Sequence, residues 1–535
     1  AMFSQSSKAP CWSQLSVLTW RDADAVKGLR APPNPTMTAL IIHGHFYQPP
    51  RENPRTGIIE RQPGADPFHD WNERIHAECY GPNAFVHTGK NPEQTLNNYA
   101  NISFNFGPTL LSWLESHHPA TYQRILDADK DSALRRAGHG NAIAQAYGHA
   151  ILPLCNERDR LTQVLWGIAD FRFRFGREPE SLWLPETACN SATLDLLIEQ
   201  GLRYVILAPG QAGRFRAPQG DWQQKTGIGI DSSRAYRYAH RQQPGRSLAI
   251  FFYDGPLAQA IAFDKVLRSS EFLVGMIKQA AARGALVNVA TDGETYGHHF
   301  KFGDLALAHA LEIEAGDQGL WVTNYGEFLD RHPPEWDVEL DNGPDDEGTS
   351  WSCAHGVGRW LRDCGCHTGG EPGWNQRWRS SLRTALDMLR DHGANQFEVV
   401  GGDLFIAPWR ARNAYIDLIL DPERSRSDFL AREAKGTLTL RDQNRALTLL
   451  EIQRFALLMY TSCGWFFSEI SGIETVQIMR YAAKVIELTD ELGLPAPRER
   501  FLEMLAEAPS NIRELGNGAN VYRRFAERTV ELSPN

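Results

Sequence analysis

Residues 285–299 read Ala285-Leu-Val-Asn-Val-Ala-Thr-Asp292-Gly-Glu294-Thr-Tyr-Gly-His-His299, a short apolar run that ends in two acids, two glycines and two histidines. The apolar run is too short for a typical helix, so it indicates a buried strand. The preceding residues 280–284 are typical of a helix that ends at a glycine. A helix followed by a buried strand predicts a parallel β/α unit, in which ligands bind at the carboxyl ends of the strands, where Asp292 and Glu294 lie.

A lone Asp-x-Glu can also cap or brace a loop, so the interpretation depends on a second motif of the same design. Residues 181–186 form another apolar run that ends in an acid, Glu186. A predicted helix at residues 191–199 and an apolar run at residues 204–207 follow, as a right-handed parallel crossover allows. Such units recur over roughly 290 residues without a Gly-x-Gly-x-x-Gly fingerprint, which favours a β/α barrel over an open sheet.

The predicted fold class is α/β, and the chain divides into four predicted parts. Residues 1–36 show no clear periodicity and are predicted to be a loosely ordered extension, and residues 37–330 form the barrel. Residues 331–400 are expected to be a helical region that completes the cleft, and residues 401–535 a C-terminal helical domain. Within the barrel, residues 51–95 are rich in Pro, Asn, Gly and His and predict an irregular loop that walls the cleft.

Composition narrows the class of ligand. The 535 residues carry a formal net charge of -10, and no basic stripe is visible, which argues against a nucleic-acid partner. Fifteen Trp and fifteen Tyr provide flat faces on which sugar rings stack. No apolar run of membrane length and no secretory leader are seen, so no membrane partner is predicted. The sequence leaves the oligomeric state open.

Eight cysteines are scattered along the chain, which predicts reduced thiols and a cytoplasmic location. Cys364-Gly-Cys366, with Cys353 and His355 upstream and His367 beside it, hints at a metal site. The single-residue spacing departs from the usual zinc ribbon. We therefore predict no metal, and no other cofactor is indicated.

Two carboxylates at strand ends, Glu186 and Asp292, are the smallest set of catalytic groups that glycosidic bond cleavage requires. One attacks or stabilises the anomeric carbon, and the other donates a proton to the leaving oxygen and later accepts one. Neither role needs a metal. The alternative for Glu186 taken alone is a cap on the following helix.

Five motifs occur in order along the chain: His43-Gly-His45 with Gln48-Pro49, Tyr147-Gly-His149-Ala-Ile-Leu-Pro-Leu, Trp183-Leu-Pro-Glu186, Asp292-Gly-Glu294-Thr-Tyr-Gly297 and the tryptophan-bearing Thr349-Ser-Trp351-Ser-Cys-Ala-His-Gly-Val-Gly-Arg-Trp360. Together they resemble the ordered motifs of glycoside hydrolase family 57. The resemblance implies a (β/α)7-type barrel, an α-glucan or maltooligosaccharide substrate and a retaining mechanism. Further along, Ser462-Cys-Gly-Trp-Phe-Phe467 resembles an uncharacterised helical region attached to some family members.

Carried over residue by residue, the resemblance implies Glu186 as nucleophile and Asp292 as general acid/base. It implies substrate-binding roles for His43, His45, His149, Trp183, Glu294, Trp351 and Trp360. A retaining mechanism predicts that the two catalytic carboxyl groups lie about 5 to 6 Å apart. We also expect Trp351 to face Glu186.

The chain departs from the family pattern at two places. Phe46-Tyr47 stands between His45 and Gln48, where family amylases usually join the histidine directly to Gln-Pro. Gly293 replaces the aromatic residue that is common between the acid/base and the following Glu. Both changes are expected to reshape the subsites.

Other functions stay open at this point. In one alternative, His43, His45, Asp292 and His298 or His299 are ligands of a divalent metal, and the protein is a polysaccharide deacetylase or a metal-assisted glycosidase on a similar barrel. In another, the protein binds sugars without turnover, although both carboxylates are present. The sequence does not decide between hydrolysis and transglycosylation, nor the linkage or chain length of the glucan.

Overall fold

The computed structural model describes residues 37–87, 95–225 and 229–527. The predicted N-terminal extension, residues 1–36, lies outside these ranges.

Seven strands in the described part of the chain form a parallel barrel. They are β1 Thr38–Phe46, β2 Ser103–Phe106, β3 Ala144–Gln145, β4 Leu182–Trp183, β5 Tyr204–Leu207, β6 Ser247–Phe252 and β7 Leu286–Asp292. β1 pairs with β7 and with β2, β3 pairs with β4, and β5 pairs with β6, all in parallel. Parallel bridges join β2 to β3 and β4 to β5, and the N–H of Asp254, just after β6, donates to the carbonyl of Asn288 in β7. The strands thus close into the predicted β/α barrel, which is confirmed.

The pairing of β1 with β7 sets the position of the polar strand ends. Both strands are almost wholly buried, because helices and loops cover one face and the barrel interior the other. Their register runs from Ala39 opposite Leu286 to His45 opposite Asp292. Since successive side chains alternate between faces, His43 and His45 share a face, with His45 nearer the carboxyl end.

Helices alternate with the barrel strands. They are Pro108–His117, Pro119–Arg135, Glu157–Phe175, Ser191–Glu199, Gly255–Phe263, Ser270–Ala281, Gly303–His309, Ala315–Asp317 and Tyr325–Arg331, with a π turn at Ala310–Glu314. The helix Glu157–Phe175 shows why such segments form: the Asn156 side chain caps its first turn, and Gly176 ends it in the left-handed conformation.

The segment 51–95 was predicted to be irregular, and this prediction is wrong for its middle. Helices Trp71–Ile75 and Gly81–Ala84 flank a π turn at His76–Tyr80. The Asp70 side chain caps the first helix by accepting the Glu73 N–H, and Cys79 and Tyr80 are fully buried. Polar composition hid these short helices, because long-range burial and one cap stabilise them rather than a repeated apolar face.

A second sheet, which the sequence analysis does not predict, extends from β6. Ala235–Ala239 pairs antiparallel with β6 and parallel with Trp336–Leu340, which in turn pairs antiparallel with Ala212–Arg216, and Gln223–Gln224 lies at the edge. Two smaller pairings are Leu320–Val322 with the start of β1 and Val86–His87 with Thr95–Leu96. The sheet therefore continues past residue 330, where the barrel was predicted to end.

The C-terminal part is helical. Its helices are Trp378–Leu404, Pro408–Ala414, Ile416–Leu420, Pro422–Glu433, Leu440–Leu458, Cys463–Phe466, Ile473–Glu491, Arg498–Ala506 and Gly518–Val521, with a π turn at Tyr522–Ala526. They enclose an apolar core of their own around Trp360, Trp378 and Trp465. The helix Trp378–Leu404 spans residue 400, and the predicted domain borders stay predictions. In the described residues, no helix is both long and apolar enough to cross a membrane.

The helical part is packed against the barrel mouth. The Ser462 N–H donates to the carbonyl of His149 at 2.9 Å, beside a bridge between Ala150 and Thr461. On another side, Arg55 pairs with Glu487 at 2.5 Å. The carboxyl ends of the barrel strands therefore lie against the C-terminal helices.

Candidate active site

Glu186 lies in a tight turn, Pro185–Thr187, directly after β4. Its φ of 58° and the φ of 49° at Thr187 are both in the left-handed region, which costs energy for residues with a Cβ. The surroundings hold the turn in place: the Trp351 N–H donates to the Glu186 carbonyl at 3.1 Å, and the Thr187 hydroxyl donates to Gln211 Oε1 at 2.8 Å. Strain of this kind is typical of functional sites.

The carboxyl group of Glu186 accepts two hydrogen bonds on one oxygen. Trp351 Nε1 donates to Oε2 at 3.1 Å, and Ser352 Oγ donates to the same atom at 2.7 Å. These contacts confirm that Trp351 faces Glu186. Burial raises the pKa of Glu186 above its ordinary value, while the two donors and the positive charge of Arg359 oppose this rise.

Asp292 ends β7 in different surroundings. The residue keeps part of its surface exposed to solvent, while many protein atoms surround its carboxyl group. This withdrawal from bulk water, followed by the negative charges of Glu294 and Glu186, raises the pKa of Asp292 to about 8. Asp292 therefore favours the protonated form at neutral pH.

Glu294 lies behind Asp292 and is buried. It accepts hydrogen bonds from Tyr80 Oη at 2.6 Å and from the Tyr47 N–H at 3.2 Å. Burial raises the pKa of Glu294 to about 7, although these donors favour its ionised form. Glu294 thus adds negative charge next to Asp292 while its own oxygen is held by protein donors.

Three histidines pack beside these carboxylates. His45 and His149 face each other, Nε2 to Nε2, at 3.2 Å, and His45 stacks on Trp183 with ring centroids 4.8 Å apart. Burial lowers the pKa of His43 and of His45 to about 3, and that of His149 well below its ordinary value. The imidazoles are neutral at neutral pH, so they suit hydrogen bonds with an uncharged ligand.

Four of the predicted substrate-binding residues are almost completely covered by protein: His43 and Trp360 are 0% exposed, and His149 and Trp183 are 1% exposed. His43 is fully buried, with its ring nitrogens 3.0 Å from Ser103 Oγ and 3.1 Å from Asn105 Oδ1. Two residues along a strand place His43 about 7 Å deeper in the barrel than His45. Trp360 is fully buried in the helical core, where its Nε1 donates to the Ser462 carbonyl at 3.1 Å. Neither His43 nor Trp360 has a surface at the barrel mouth.

The remaining predicted residues meet at the barrel mouth. Trp183 is almost fully buried and packs edge-on against Trp351, with ring centroids 5.2 Å apart. Glu186 and Asp292 are close enough to repel each other electrostatically. The structure therefore brings together Glu186, Asp292, Glu294, His45, His149, Trp183 and Trp351, with His43 beneath them and Trp360 behind.

The sequence analysis missed several residues of this site. Asn105 lies at the end of β2 and contacts both His43 and His45, and Tyr253 directly follows β6, with its ring 6.3 Å from that of Trp351. Their positions at strand ends were a usable signal. The stretch that begins at Ser462 resembles an uncharacterised helical region, but no local signal indicates that the Ser462 hydroxyl lies 2.7 Å from His149 Nδ1.

Some buried polar atoms at the site lack a protein partner. Among the described residues, Tyr47 Oη, Gln145 Nε2 and Trp183 Nε1 make no hydrogen bond. Buried polar groups are almost always paired with protein, water or a ligand. Tyr47 lies flat on His149 with ring centroids 3.7 Å apart, so its hydroxyl belongs to the same cluster.

The two departures from the family pattern, Phe46-Tyr47 and Gly293, lie next to each other in the structure. Phe46 is fully buried, and a Cβ built on Gly293 would lie 2.3 Å from its ring atoms Cδ1 and Cε1. A side chain at position 293 is therefore incompatible with the Phe46 ring in its present position. Gly293 provides the space for Phe46, and Phe46 places Tyr47 over His149.

The metal-binding alternative lacks a converging ligand set in the residues that the structure describes. One group of His, Cys, Asp and Glu ligand atoms converges there, formed by Cys353, His355, Cys364 and Cys366, and it contains none of the ligands that this alternative requires. His298 instead pairs with Glu78.

Comparison with known proteins identifies two sequence families. The family described as glycosyl hydrolase family 57 matches residues 66–340, just over half of the chain. A domain of unknown function (DUF3536) matches residues 374–533.

Curated relatives are similar to part of the chain. An α-amylase of Pyrococcus horikoshii is 23% identical over 310 residues, which cover 57% of this chain and 44% of the relative. Alpha-amylase 1 of Dictyoglomus thermophilum is 23% identical over 243 residues, or 45% of this chain and 31% of the relative. The chain thus spans less than half the length of these curated relatives.

Solved structures share the fold over most of the chain. An exo-type maltose-forming amylase from Pyrococcus sp. ST04 has a TM-score of 0.62 at 14% identity, covering 88% of this chain and 82% of that one. A GH57-type branching enzyme from Pyrococcus horikoshii has a TM-score of 0.53 at 14% identity, covering 93% and 98%. At this level of identity, the likeness supports the barrel and its helical extension.

Proposed function

The chain belongs to glycosyl hydrolase family 57, and we propose that it is a retaining enzyme that cleaves or transfers α-glucosidic bonds in α-glucans. The observation that carries this proposal is the pair of strand-end carboxylates in contrasting surroundings. Burial raises the pKa of Glu186, but its hydrogen bonds from Trp351 and Ser352 oppose this rise and favour the ionised form. Asp292, with a pKa raised to about 8, favours the protonated form. A retaining glycosidase needs one carboxyl group in each state.

In the first step, the Glu186 carboxylate attacks the anomeric carbon while Asp292 gives its proton to the departing glycosidic oxygen. The bond between sugar and leaving group breaks, and an ester between Glu186 and the sugar forms. Asp292 becomes ionised in this step, at a position beside Glu294.

In the second step, the Asp292 carboxylate accepts a proton from the incoming hydroxyl group. That hydroxyl belongs to water in hydrolysis or to another glucan in transfer, and it attacks the anomeric carbon from the side that the leaving group occupied. The ester breaks, and Glu186 leaves as a carboxylate. Two inversions at the anomeric carbon preserve its configuration.

Sugar recognition is assigned to uncharged groups around the two carboxylates. His45 and His149 are neutral, and the partnerless hydroxyl of Tyr47 offers a further site for a sugar hydroxyl. Trp351 and Tyr253 supply aromatic surface at the same place.

His43 and Trp360 receive positioning roles instead of sugar contacts. His43 contacts Asn105, and Asn105 in turn contacts His45. The His43 ring also stacks on Trp183. Trp360 holds the turn that carries Ser462. These contacts extend the site into the barrel interior and the helical domain.

A product profile tests the proposal. The full chain is incubated with maltooligosaccharides, amylose and a branched glucan, and the products are separated by size while proton NMR follows the anomer released first. We expect the α-anomer, as retention requires. If all products are shorter than the substrate, the enzyme is a hydrolase. If longer or newly branched products form, it is a transferase. Release of the β-anomer, or no turnover of any α-glucan, would reject the proposal.

A further inference from the structure

The segment between residues 353 and 366 brings four ligand atoms together. The Sγ of Cys353 lies 3.8 Å from the Sγ of Cys364 and 3.8 Å from the Sγ of Cys366. The Sγ of Cys366 lies 3.6 Å from Nδ1 of His355. All four atoms lie within 4.8 Å of one another.

These separations match the edges of a zinc tetrahedron. Zinc bonds of about 2.3 Å to sulfur and about 2.0–2.1 Å to imidazole nitrogen give tetrahedral edges of about 3.8 Å between sulfurs and about 3.5–3.6 Å between sulfur and nitrogen. The observed separations are 3.8 Å and 3.6 Å, respectively. Three thiolates and one imidazole are soft and borderline donors that favour zinc over magnesium or calcium.

A disulfide does not explain the cluster. The sulfur separations are far longer than a disulfide bond of about 2.05 Å, and the seven cysteines that the structure describes are all free. Three thiols and an imidazole that face one another are poor partners without a cation, because a thiol is only a weak donor and a weak acceptor.

Local backbone conformation explains how two cysteines separated by a single residue can direct their thiols to the same centre. Gly365 has a φ of 82°, in the left-handed region that glycine enters without strain, and it separates the two cysteines of Cys364-Gly-Cys366. The turn lets both neighbouring thiols point to the same centre. A Cβ built on Gly358 would lie 3.1 Å from Cys364 Cβ, so this glycine also permits the close approach.

We propose that Cys353, His355, Cys364 and Cys366 bind one Zn²⁺ as a structural site. Four protein ligands complete a tetrahedron and leave no position for a substrate, which is the arrangement of structural rather than catalytic zinc. The sequence analysis predicts no metal, because the spacing departs from a zinc ribbon. The proposal departs from that prediction, because the four ligand atoms converge in the structure.

The zinc site stabilises the segment that contacts Glu186. Trp351 and Ser352, the two donors to its carboxyl group, immediately precede Cys353. Arg379 of the helical domain donates to the Cys366 carbonyl at 2.7 Å, which ties the site to that domain. Because the segment has little regular structure, metal binding supplies much of its order.

Metal analysis of the purified full chain tests the proposal independently of any activity. The protein is expressed with added zinc, kept reduced and passed through metal-free buffer before elemental analysis. We expect one zinc per chain in the unchanged protein and none in Cys366→Ser. The matched control is Cys155→Ser, because Cys155 lies outside the cluster and its thiol donates to the Ile151 carbonyl. This control should keep the zinc.

Cobalt provides a second measurement that does not require the cysteine variant to fold. Co²⁺ added to the zinc-free reduced protein should give the intense visible bands of a tetrahedral site and a thiolate-to-cobalt charge-transfer band. His355→Cys should strengthen the charge-transfer band by adding a fourth thiolate. Absence of stoichiometric zinc together with absence of tetrahedral cobalt bands would overturn the proposal, and so would zinc that stays bound in Cys366→Ser or a disulfide among these cysteines under reducing conditions.

Discussion

Glu186 and Asp292 end two strands of one barrel, yet the groups around them differ in kind and in origin. Glu186 accepts hydrogen bonds from Trp351 and Ser352, which come from a segment beyond the barrel strands. Asp292 receives no hydrogen bond on its carboxyl group from the residues that the structure describes, and its charged neighbours are the carboxylates Glu294 and Glu186. Donors favour an ionised carboxylate and negative neighbours a protonated one, and the proposed function assigns two different roles to these two similar side chains on this basis.

Removing the Glu186 carboxylate should have the largest effect. Glu186→Ala should lower turnover on the order of 10⁶-fold, the size of effect seen when a covalent nucleophile is lost. Azide should restore turnover of an activated α-glucosyl donor and give a product of inverted configuration, measured by NMR. Glu178→Gln is the control, because Glu178 is exposed and pairs with Arg172. Full activity of Glu186→Ala would contradict the assignment.

The Asp292 side of the comparison predicts a pH dependence. The first step needs protonated Asp292, so kcat/KM should fall as the pH rises through about 8. The fall on the acidic side should begin above the ordinary carboxyl pKa, because burial raises that of Glu186. Asp292→Asn should cost about 10²- to 10⁴-fold and remove the alkaline limb. An alkaline limb that persists in Asp292→Asn would assign it to another group.

Removing a hydrogen-bond donor to Glu186 should bring the pKa of Glu186 closer to that of Asp292. Ser352→Ala removes the hydroxyl 2.7 Å from Glu186 Oε2, so the pKa of Glu186 should rise and the acidic limb should move to higher pH. A hydrogen bond to a charged group contributes about 1.5–3 kcal/mol, so the acidic limb should move by about one to two pH units.

The matched control for this change is Ser350→Ala. The Ser350 hydroxyl donates to the Gly356 carbonyl in the same segment and does not touch Glu186. Its pH profile should keep the original acidic limb. Equal shifts in both variants would mean that the segment as a whole, and not the Ser352 hydroxyl, sets the pKa of Glu186.

The close packing of Phe46 against Gly293, the residue after Asp292, should be sensitive to a change in side-chain size. Gly293→Ala places a Cβ against the Phe46 ring and should lower the free energy of unfolding by about 1–3 kcal/mol, measured by chemical denaturation. Combining it with Phe46→Leu should cost less than the sum of the two single changes. Gly275→Ala is the control, because its Cβ meets no atom within 4 Å. Strict additivity would show that Phe46 and Gly293 are not coupled.

The strand ends could be predicted because they depend on local patterns. A short apolar run followed by polar residues marks a buried strand and its end, and parallel strands in a barrel all end on one face. Glu186 and Asp292 are predicted at one barrel mouth on this basis. The second sheet escaped prediction, because Trp336–Leu340 pairs with Ala235–Ala239, a segment far away in the chain.

The sequence by itself determined the alternation of strands and helices, the acids at two strand ends and the face shared by His43 and His45, because each follows from the repeat of the backbone over a few residues. Only the tertiary structure decided which side chains are covered and which distant groups meet. It buries His43, joins Ser462 to His149 and brings the zinc ligands together. Contacts between segments far apart in the chain depend on packing and register, which no local pattern contains.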